Sequence, residues 1–422
     1  MKKNISIGEI APSDSEFFEN SPDINIKKII SGLNYWSISL RIGLDVIRLA
    51  FMRYKYPWKA LYFGTKAIGI SRKYFKITHP KIARVANKYY IHLYSPGWPS
   101  NAFNRCINHS FNILSDDSEI SINTLVFAIT NKCGFQCEHC AEWDNLNKKD
   151  KLSAHDIVDI IKGFHSTGVS QVYLSGGEPL NRFADILYIL DSVPEGIDFW
   201  MFTNGYNLSP DRAAQLKKHG LTGVIISLDH HDEEKHDQFR GVPGAYSHAI
   251  QSARHVVDHG LLLAFSCCAT NDFISSENLM AYANICRNAG SSFIQFLEPE
   301  PVGRYRQIKV SLSKEKRKIL EDFFYQINFD PSYKTFPIVS HPALLKRQNG
   351  CLGSGLHMVY VDSDGCVQAC PFCKTKLFPA SGPGLRENIR SLREVGCSMI
   401  EFAPRLKDQN KIKVPEPFDI TL

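Results

Sequence analysis

The sequence has no uninterrupted apolar run of the roughly 18 residues that a membrane-spanning helix needs. The longest helical pattern of apolar residues, at 36–51, is broken by Arg41, Asp45 and Arg48. Residues 1–9 also lack the long apolar core of a signal peptide. We therefore expect a cytoplasmic protein. The composition of its first third leaves open a peripheral association with a membrane.

Acidic residues are almost absent from residues 27–105. This segment contains one acid, Asp45, and 15 Lys and Arg residues. The net charge of this segment is +14 (15 minus 1), whereas the whole chain of 422 residues carries +6, so the remainder sums to −8 (6 minus 14). The segment is rich in aromatic residues, and Leu40, Leu44 and Phe51 recur at helical intervals. Four interpretations stay open: a cap on the neighbouring domain, an anionic membrane surface or lipid substrate, an acidic peptide, and, least favoured, nucleic acid.

Disulfides are not favoured, because eight of the twelve cysteines fall into one group of three and one group of five. Such grouping indicates metal ligands in a reducing compartment. Cys133, Cys137 and Cys140 have C-x3-C-x2-C spacing in one short segment. Three thiolates so spaced can hold one face of a cuboidal iron-sulfur cluster and leave the fourth iron without a protein ligand. A structural zinc site is the alternative, although such sites usually supply four ligands.

Strand-like and helix-like segments alternate through the middle of the chain. Apolar runs predict strands at 124–130, 171–174, 199–203, 223–228, 261–270 and 293–297. Helical periodicity predicts helices at 153–166, 182–191, 210–219, 246–259, 276–289 and 313–327. Six such units predict an α/β fold, a partial (β/α)6 TIM-like barrel, with polar residues collected at the carboxyl ends of its strands.

Four motifs follow the first four predicted strands in order. They are the three cysteines, Gly176-Gly177-Glu178-Pro179, Thr203-Asn204-Gly205 and Ser227-Leu228-Asp229. In these residues, over about 123–327, the chain resembles the radical S-adenosylmethionine (radical SAM) superfamily. The resemblance implies a 4Fe-4S cluster on the three cysteines, SAM bound at the open iron, its cleavage to a 5'-deoxyadenosyl radical, and hydrogen abstraction from a substrate. It also implies an electron donor such as flavodoxin or ferredoxin.

The resemblance assigns the first of these residues to the two ends of SAM. Gly176 and Gly177 allow close approach of the backbone, and together with Glu178 they are implied to bind the methionine amino group. His139 stands where the family often carries an aromatic residue against the adenine. A histidine ring can stack there as well.

Other polar residues suit the rest of the cofactor. Asn204, Ser227 and Asp229 carry amide, hydroxyl and carboxylate groups that match a ribose diol or an adenine edge. Arg240 either pairs with the methionine carboxylate through a charge-assisted bond or is a solvated arginine at the start of a helix. Alternation along the fifth strand predicts that one of Cys267 and Cys268 points into the barrel.

A second group of cysteines lies near the end of the sequence. Residues 358–369 read as a hairpin with its turn at 363–365, and the spacing of the flanking cysteines resembles SPASM and twitch auxiliary-cluster domains. One auxiliary 4Fe-4S cluster is expected, with Cys366 as a spare candidate and a zinc site as the alternative. The expected ligands are Cys351, Cys370, Cys373 and Cys397.

The sequence thus predicts a loose tail (1–23), a basic aromatic helical region (24–120), a radical SAM core (121–330) and an auxiliary-cluster domain (331–422). The expected activity is radical modification of a substrate, either in the maturation of a peptide or in the biosynthesis of a natural product. Two alternatives are modification of a lipid or another apolar metabolite at a membrane surface, and a non-catalytic iron-sulfur binding protein or sensor. Nucleic acid is not an expected partner.

Overall fold

The computed structural model describes residues 27–74, 80–115, 121–351 and 353–395. The predicted tail at 1–23 and Cys397 lie outside the described residues. Its strands are β1 Lys27–Ile30, β2 Ile82–Val85, β3 Lys88–Tyr90, β4 Thr124–Thr130, β5 Gln171–Gly176, β6 Asp198–Thr203, β7 Leu221–Ser227, β8 Leu262–Cys268, β9 Phe293–Leu297, β10 Ile338–Ser340, β11 Met358–Val361, β12 Cys366–Gln368 and β13 Phe378–Pro379. Its helices are α1 Leu33–Arg53, α2 Pro57–Tyr74, α3 Asn101–Ser115, α4 Ala154–Ser166, α5 Phe183–Ser192, α6 Pro210–Lys218, α7 Glu233–Arg240, α8 Ala245–Asp258, α9 Ser276–Asn288, α10 Lys314–Phe329, α11 Pro342–Asn349 and α12 Leu385–Val395.

The six predicted strands form the parallel sheet β4 to β9, in which each strand pairs with the next along the chain. Helices cover one face of this sheet, so the predicted partial TIM-like barrel is confirmed. Sequence reasoning did not find α7, a short helix between β7 and α8.

Side chains alternate between the inside of the barrel and the helical layer. On β8, Leu263 and Cys267 belong to the core shared with the outer helices, whereas Leu262 and Ala264 belong to the inner core. Because the alternation has a period of two, Cys268 points inward and Cys267 outward. The expectation that one of the two cysteines faces the interior is confirmed.

The sheet continues beyond the predicted barrel at both edges. At one edge β10 pairs parallel with β9. At the other, the predicted hairpin is present as β11 and β12, and β11 pairs parallel with β4, the strand that leads to the first cysteine group. The carboxyl-terminal cysteine segments are therefore joined to the barrel through its own sheet.

A three-stranded antiparallel sheet, β1-β2-β3, closes the inside of the barrel. Ala83 and Val85 on β2 pack with the inward-facing residues Trp200 and Phe293. Ile82, on the other face of β2, packs with α1 and α3. The amino-terminal helices α1 to α3 therefore lie beyond this small sheet, at the end of the barrel away from the strand-end motifs. Within the described residues, no helix is long and apolar enough to cross a membrane.

Candidate functional site

The cysteine segment leaves β4 and is held at its first cysteine by Asn147. The backbone N–H of Cys133 donates to Oδ1 of Asn147 at 3.1 Å, and Nδ2 of Asn147 donates to the Cys133 carbonyl at 3.1 Å. Asn147 has a positive φ of 62°, a conformation that Asn adopts more readily than most residues. This two-sided contact fixes the backbone that carries the first thiol.

The end of α7 holds the middle of the same segment. The N–H of Glu138 donates to the Phe239 carbonyl at 2.9 Å, and the N–H of Gln136 donates to the Arg240 carbonyl at 3.3 Å. The last carbonyls of a helix have no partner within the helix, so here they receive donors from the cysteine segment. The helix ends at Gly241 in the left-handed conformation.

A turn after β9 holds the end of the cysteine segment. The N–H of Arg304 donates to the Cys140 carbonyl at 3.0 Å, and its guanidinium donates to the Gln136 carbonyl and lies 4.5 Å from the ring centre of Trp143. A Cβ on Gly303 would overlap the Cys140 carbonyl oxygen. Arg304 therefore supports the backbone of the cysteine segment.

Gly176 and Gly177 bring the next motif against the start of the cysteine segment. The N–H of Gly177 donates to the Thr130 carbonyl at 2.8 Å, and the N–H of Glu178 donates to the Lys132 carbonyl at 2.7 Å. A Cβ on either glycine would overlap one of these two carbonyl oxygens. The close approach that glycine permits is thus made to the protein's own backbone.

The buried carboxylate of Glu178 ties β5 to β6. Oε1 accepts from the Thr203 hydroxyl at 2.8 Å and from the Leu180 N–H at 3.0 Å, and Oε2 accepts from the Asn204 N–H at 2.8 Å. Burial raises the pKa of Glu178, against the opposing effect of these donors. Since both oxygens are occupied, Glu178 positions the surrounding backbone.

Asp229 and Arg240 form a buried ion pair, with Oδ2 and Nη2 2.5 Å apart. Oδ1 of Asp229 accepts from the Cys268 N–H at 2.8 Å, and Nη1 of Arg240 lies 3.5 Å from the sulfur of Cys137. Burial alone would raise the pKa of Asp229, but the Arg240 guanidinium, together with His139, His236 and the Cys268 N–H, outweighs it and holds that pKa below its usual value. Arg240 is the buried last residue of α7, so the alternative of a solvated arginine at a helix start is wrong.

His139, within the cysteine segment, contacts α7. Its ring stacks on Phe239 with a centroid separation of 5.0 Å, and burial lowers the pKa of His139 to about 4. Among the described residues, Nδ1 of His139 and Nε of Arg240 are buried without a hydrogen-bond partner. Buried polar atoms of this kind usually have a partner, so the site fits a polar ligand such as SAM.

The remaining predicted residues line the same end of the barrel. Ser227 is half-buried and ends β7, and the alternation along that strand turns it inward beside Ser266 of β8. Oδ1 of Asn204 accepts from the Tyr206 N–H at 2.9 Å, which leaves its amide nitrogen available to a ligand. Asp229, by contrast, is engaged with Arg240 and Cys268, so its geometry suits positioning more than ribose binding.

The thiols fit a cationic cluster. Burial raises the pKa of Cys133 to about 11 and that of Cys140 to about 12. Thiolate ligands at such positions need the positive charge of bound iron, which deprotonates a coordinating thiol. Within the described residues, no three His, Cys, Asp or Glu side chains converge as closely as a single metal ion requires.

The carboxyl-terminal cysteines gather around Gly353. A Cβ on Gly353 would lie 3.4 Å from the sulfur of Cys351 and 3.4 Å from Cβ of Cys370. The N–H of Cys373 donates to the Cys370 carbonyl at 3.1 Å, which places the third cysteine in the next turn. Cys366 lies instead near charged residues, and its pKa is raised by burial and by Asp362, against the opposing effect of Lys376. The structure thus brings Cys351 close to Cys370 and joins Cys373 to Cys370, whereas the contacts of Cys366 on β12 are with Asp362.

Several residues of the site escaped sequence reasoning. Asn147, Phe239 and His236 contact the cysteine segment or Asp229, and the only signal for them was a position near a motif. Nδ1 of the buried His236 accepts from the Asp229 N–H at 3.0 Å. Glu142 joins the two cysteine regions, because the Tyr360 hydroxyl of β11 donates to its Oε1 at 2.7 Å.

Comparison with known proteins agrees with this geometry. Residues 127–279 match the family model of the Radical SAM superfamily. A GTP 3',8-cyclase of Clostridium perfringens is 28% identical over 213 residues, covering 48% of this chain and 65% of the cyclase, which is less than two thirds of its length. An AdoMet-dependent heme synthase of Oleidesulfovibrio alaskensis is 24% identical over 284 residues, covering 61% of this chain and 71% of the synthase.

Solved structures show the same fold. SuiB of Streptococcus suis bound to its precursor peptide SuiA superposes with a TM-score of 0.52 at 16% identity, covering 79% of this chain and 80% of SuiB. Residues 127–279, which carry most of the strand-end motifs, therefore form a Radical SAM domain, and the two relatives that they resemble are enzymes.

Proposed function

We propose that this chain uses SAM to remove a hydrogen atom from a peptide substrate during the maturation of that peptide. The observation that carries the radical chemistry is the convergence of the other three strand-end motifs on the cysteine segment. Gly177 and Glu178 contact its backbone, Glu178 also binds Thr203 and Asn204, and Asp229 pairs with Arg240, which contacts Cys137. A 4Fe-4S cluster and SAM are the cofactors of this superfamily. When bound, the cluster supplies one electron that cleaves SAM to methionine and a 5'-deoxyadenosyl radical, which takes hydrogen from the substrate.

The residues of this chain hold and orient that cofactor pair. Cys133, Cys137 and Cys140 would hold the cluster. Arg240, fixed by Asp229, offers a buried cation and an unpaired Nε to the SAM carboxylate. His139, backed by Phe239, offers its other ring face to the adenine.

Asn204, directly after β6, and Ser227, the last residue of β7, would donate to the ribose. Glu178 and Asp229 also act as positioning residues, through their contacts with Thr203, Asn204, Arg240 and Cys268. The second cysteine group, Cys351, Cys370 and Cys373, with Cys397 as the fourth ligand, would hold one auxiliary 4Fe-4S cluster. An electron donor such as flavodoxin or ferredoxin would supply the electron.

A peptide substrate is supported by the likeness to SuiB, whose structure holds the precursor peptide SuiA, and by the auxiliary cysteines, since relatives with such domains often act on peptides. Fold-level likeness is weak support for a substrate, so the test is chemical. Reconstituted protein is given dithionite, SAM and a deuterated peptide encoded by a neighbouring gene. Deuterium in the released 5'-deoxyadenosine supports the proposal.

Two other results of this experiment would lead to different conclusions, and two variants serve as controls. Release of 5'-deoxyadenosine without deuterium keeps the radical chemistry but rejects that peptide. No release from protein with a fully assembled cluster identifies a non-catalytic binding protein or sensor. Cys137→Ala should abolish release, whereas Cys106→Ala, on α3 in the amino-terminal layer, should leave it unchanged.

A further inference from the structure

The outward face of α1 is apolar although no described residue covers it. Leu33 is 88% exposed and Trp36 is 63% exposed, and the stripe continues along the helix at intervals of three, four and seven residues. The residues of the stripe are Leu33, Trp36, Leu40, Leu44 and Phe51. At 3.6 residues per turn these lie opposite the buried face of α1, which is formed by Tyr35, Ile38, Ile42, Val46 and Leu49. The helix therefore has two apolar faces, of which the fold uses one.

The apolar surface continues onto α2. Gly64 allows close packing of the two helices, because a Cβ there would lie 2.7 Å from Cδ1 of Ile47. Together the exposed residues of α1, α2 and their connection form a surface that we call the hairpin face. To the stripe it adds Met52, Tyr56, Trp58, Leu61 and Tyr62. A continuous exposed apolar surface on a folded protein marks a protein or membrane contact.

Basic side chains border the hairpin face. Arg41, Arg48, Lys55, Lys59 and Lys66 are all exposed. The single acid of the region, Asp45, is half-buried and already accepts from the indole N–H of Trp98 at 2.9 Å and from Arg48 at 2.7 Å. The border of the apolar surface is therefore positively charged.

A pocket of about 640 Å³ opens beside Leu44, between α1 and the start of α3. Its polar lining is formed by Arg41, Arg48, Ser100, Asn101, Asn104 and Asp45, the last already engaged with Arg48 and Trp98. Guanidinium, hydroxyl and amide donors around a small cavity suit a phosphate group. Its position next to exposed Leu44 matches a molecule that is anionic at one end and apolar at the other.

We propose that the hairpin face binds the surface of an anionic phospholipid membrane. Exposed Trp and Leu with flanking Lys and Arg are the composition of interfacial helices. A second copy of this chain would bring two segments of equal charge together, and a nucleic acid would leave the aliphatic residues Leu33, Leu40 and Met52 without a partner. The membrane is the occupant that uses both the apolar stripe and its basic border.

The fold also sets the orientation of the bound protein. The small sheet β1-β2-β3 lies between the inside of the barrel and the layer of α1 and α3, as Val85 and Ile82 show on its two faces. The hairpin face is thus at the end of the barrel opposite Cys133, Cys137 and Cys140. Membrane binding would direct the SAM site toward the aqueous phase, so the membrane tethers the enzyme and does not present a lipid to its active site.

Vesicle flotation of the reconstituted full-length protein tests the binding. We expect flotation with phosphatidylcholine vesicles that contain about one third phosphatidylglycerol, and little with phosphatidylcholine alone. Each basic residue near an anionic surface strengthens binding about five-fold, so Lys59→Gln with Lys66→Gln should lower partitioning about twenty-five-fold. The matched control, Lys162→Gln with Lys318→Gln on α4 and α10, should partition like the wild type. Equal partitioning of all three proteins would overturn the proposal.

Fluorescence quenching by brominated lipids tests the orientation. Trp36→Phe with Trp58→Phe should remove most of the quenching, because both indoles lie on the hairpin face. Trp143→Phe should not, since Trp143 lies beside the cysteine segment at the other end of the barrel. Loss of quenching in Trp143→Phe would show that the cysteine segment faces the membrane, and would overturn the proposed orientation. RNA binding or dimerisation that depends on Lys59 and Lys66, in a protein that does not float, would assign the face to that partner and refute membrane binding.

Discussion

The Asp229 carboxylate lies 2.5 Å from the Arg240 guanidinium, and both side chains are buried at the carboxyl end of the barrel. Arg240 in turn contacts the sulfur of Cys137. One ion pair therefore links the fourth strand of the barrel to the cysteine segment. The contribution of this ion pair to stability can be measured by removing the charge of one partner.

Asp229→Asn should be strongly destabilising, because it leaves the Arg240 cation buried without a counter-charge. Breaking a buried pair in this way costs about 3–5 kcal/mol, measurable by urea denaturation. Asp258→Asn is the matched control, since Asp258 pairs with Arg254 at the surface at 3.6 Å and its loss should cost less than about 1 kcal/mol. Similar losses in the two variants would argue against a special role for the buried pair.

Gly303→Ala should disturb the cysteine segment. The added Cβ would overlap the Cys140 carbonyl oxygen, and Gly303 has a positive φ of 56°. We expect iron at the first cluster to fall by more than half after reconstitution. Gly220→Ala separates the two causes, because Gly220 has a φ of 95° but nothing within 4 Å of a Cβ. If Gly220→Ala loses as much iron, backbone strain rather than the contact with Cys140 is responsible.

Iron analysis tests the second cysteine group. Each cubane holds four irons, so wild-type protein should contain about eight per chain and Cys373→Ala about four. Cys366→Ala should keep about eight, because Cys366 is not among the four proposed ligands and its N–H donates to Asp362. A wild-type content near four, or equal losses in both variants, would contradict the proposed ligand set.

Stability should fall at acid pH because of a buried histidine pair away from the cluster. Nε2 of His109 lies 3.1 Å from Nδ1 of His357, joining α3 to the segment before β11. Burial, with Arg393 nearby, lowers the pKa of His357 to about 4. The unfolded chain takes up a proton below about pH 6.5 while the folded chain does not, so this contribution is complete above about 6.5 and is lost as the pH falls toward 4.

Replacing the histidine should flatten this dependence. Between about pH 7 and about pH 5, His357→Gln should lose less unfolding free energy than the wild type, the difference being at most about 2 kcal/mol. His155→Gln is the control, because His155 is exposed on α4. Parallel pH profiles for wild type and His357→Gln would refute the assignment.

Much of the barrel could be predicted because each of its strand-helix units is formed by residues that are close together in the sequence. The strand predicted at 293–297 is β9, and the motifs at Gly176, Asn204 and Asp229 each follow a strand as expected. Pairing between distant segments could not be read in the same way. β11 joins β4 across more than 200 residues of chain, and β1 to β3 have only three or four residues each, too few for periodicity to show.

The roles of individual side chains were harder to predict than their positions. Glu178 and Asp229 are expected at the SAM site, which stays a prediction, but their contacts with Thr203, Asn204, Arg240 and Cys268 could not be foreseen. A sequence shows that a carboxylate follows a strand but not which donors surround it in the fold. Asn147 holds Cys133 from 14 residues away, and no spacing rule indicates such a contact.

The most direct test of the account is the electron paramagnetic resonance spectrum of the dithionite-reduced protein with and without SAM. If SAM binds the open iron of the cluster on Cys133, Cys137 and Cys140, adding SAM should change the spectrum of the wild type. Cys373→Ala should respond in the same way, and Cys137→Ala should show no change with SAM. A wild-type spectrum that stays the same at saturating SAM, in protein with its iron fully loaded, would contradict the account.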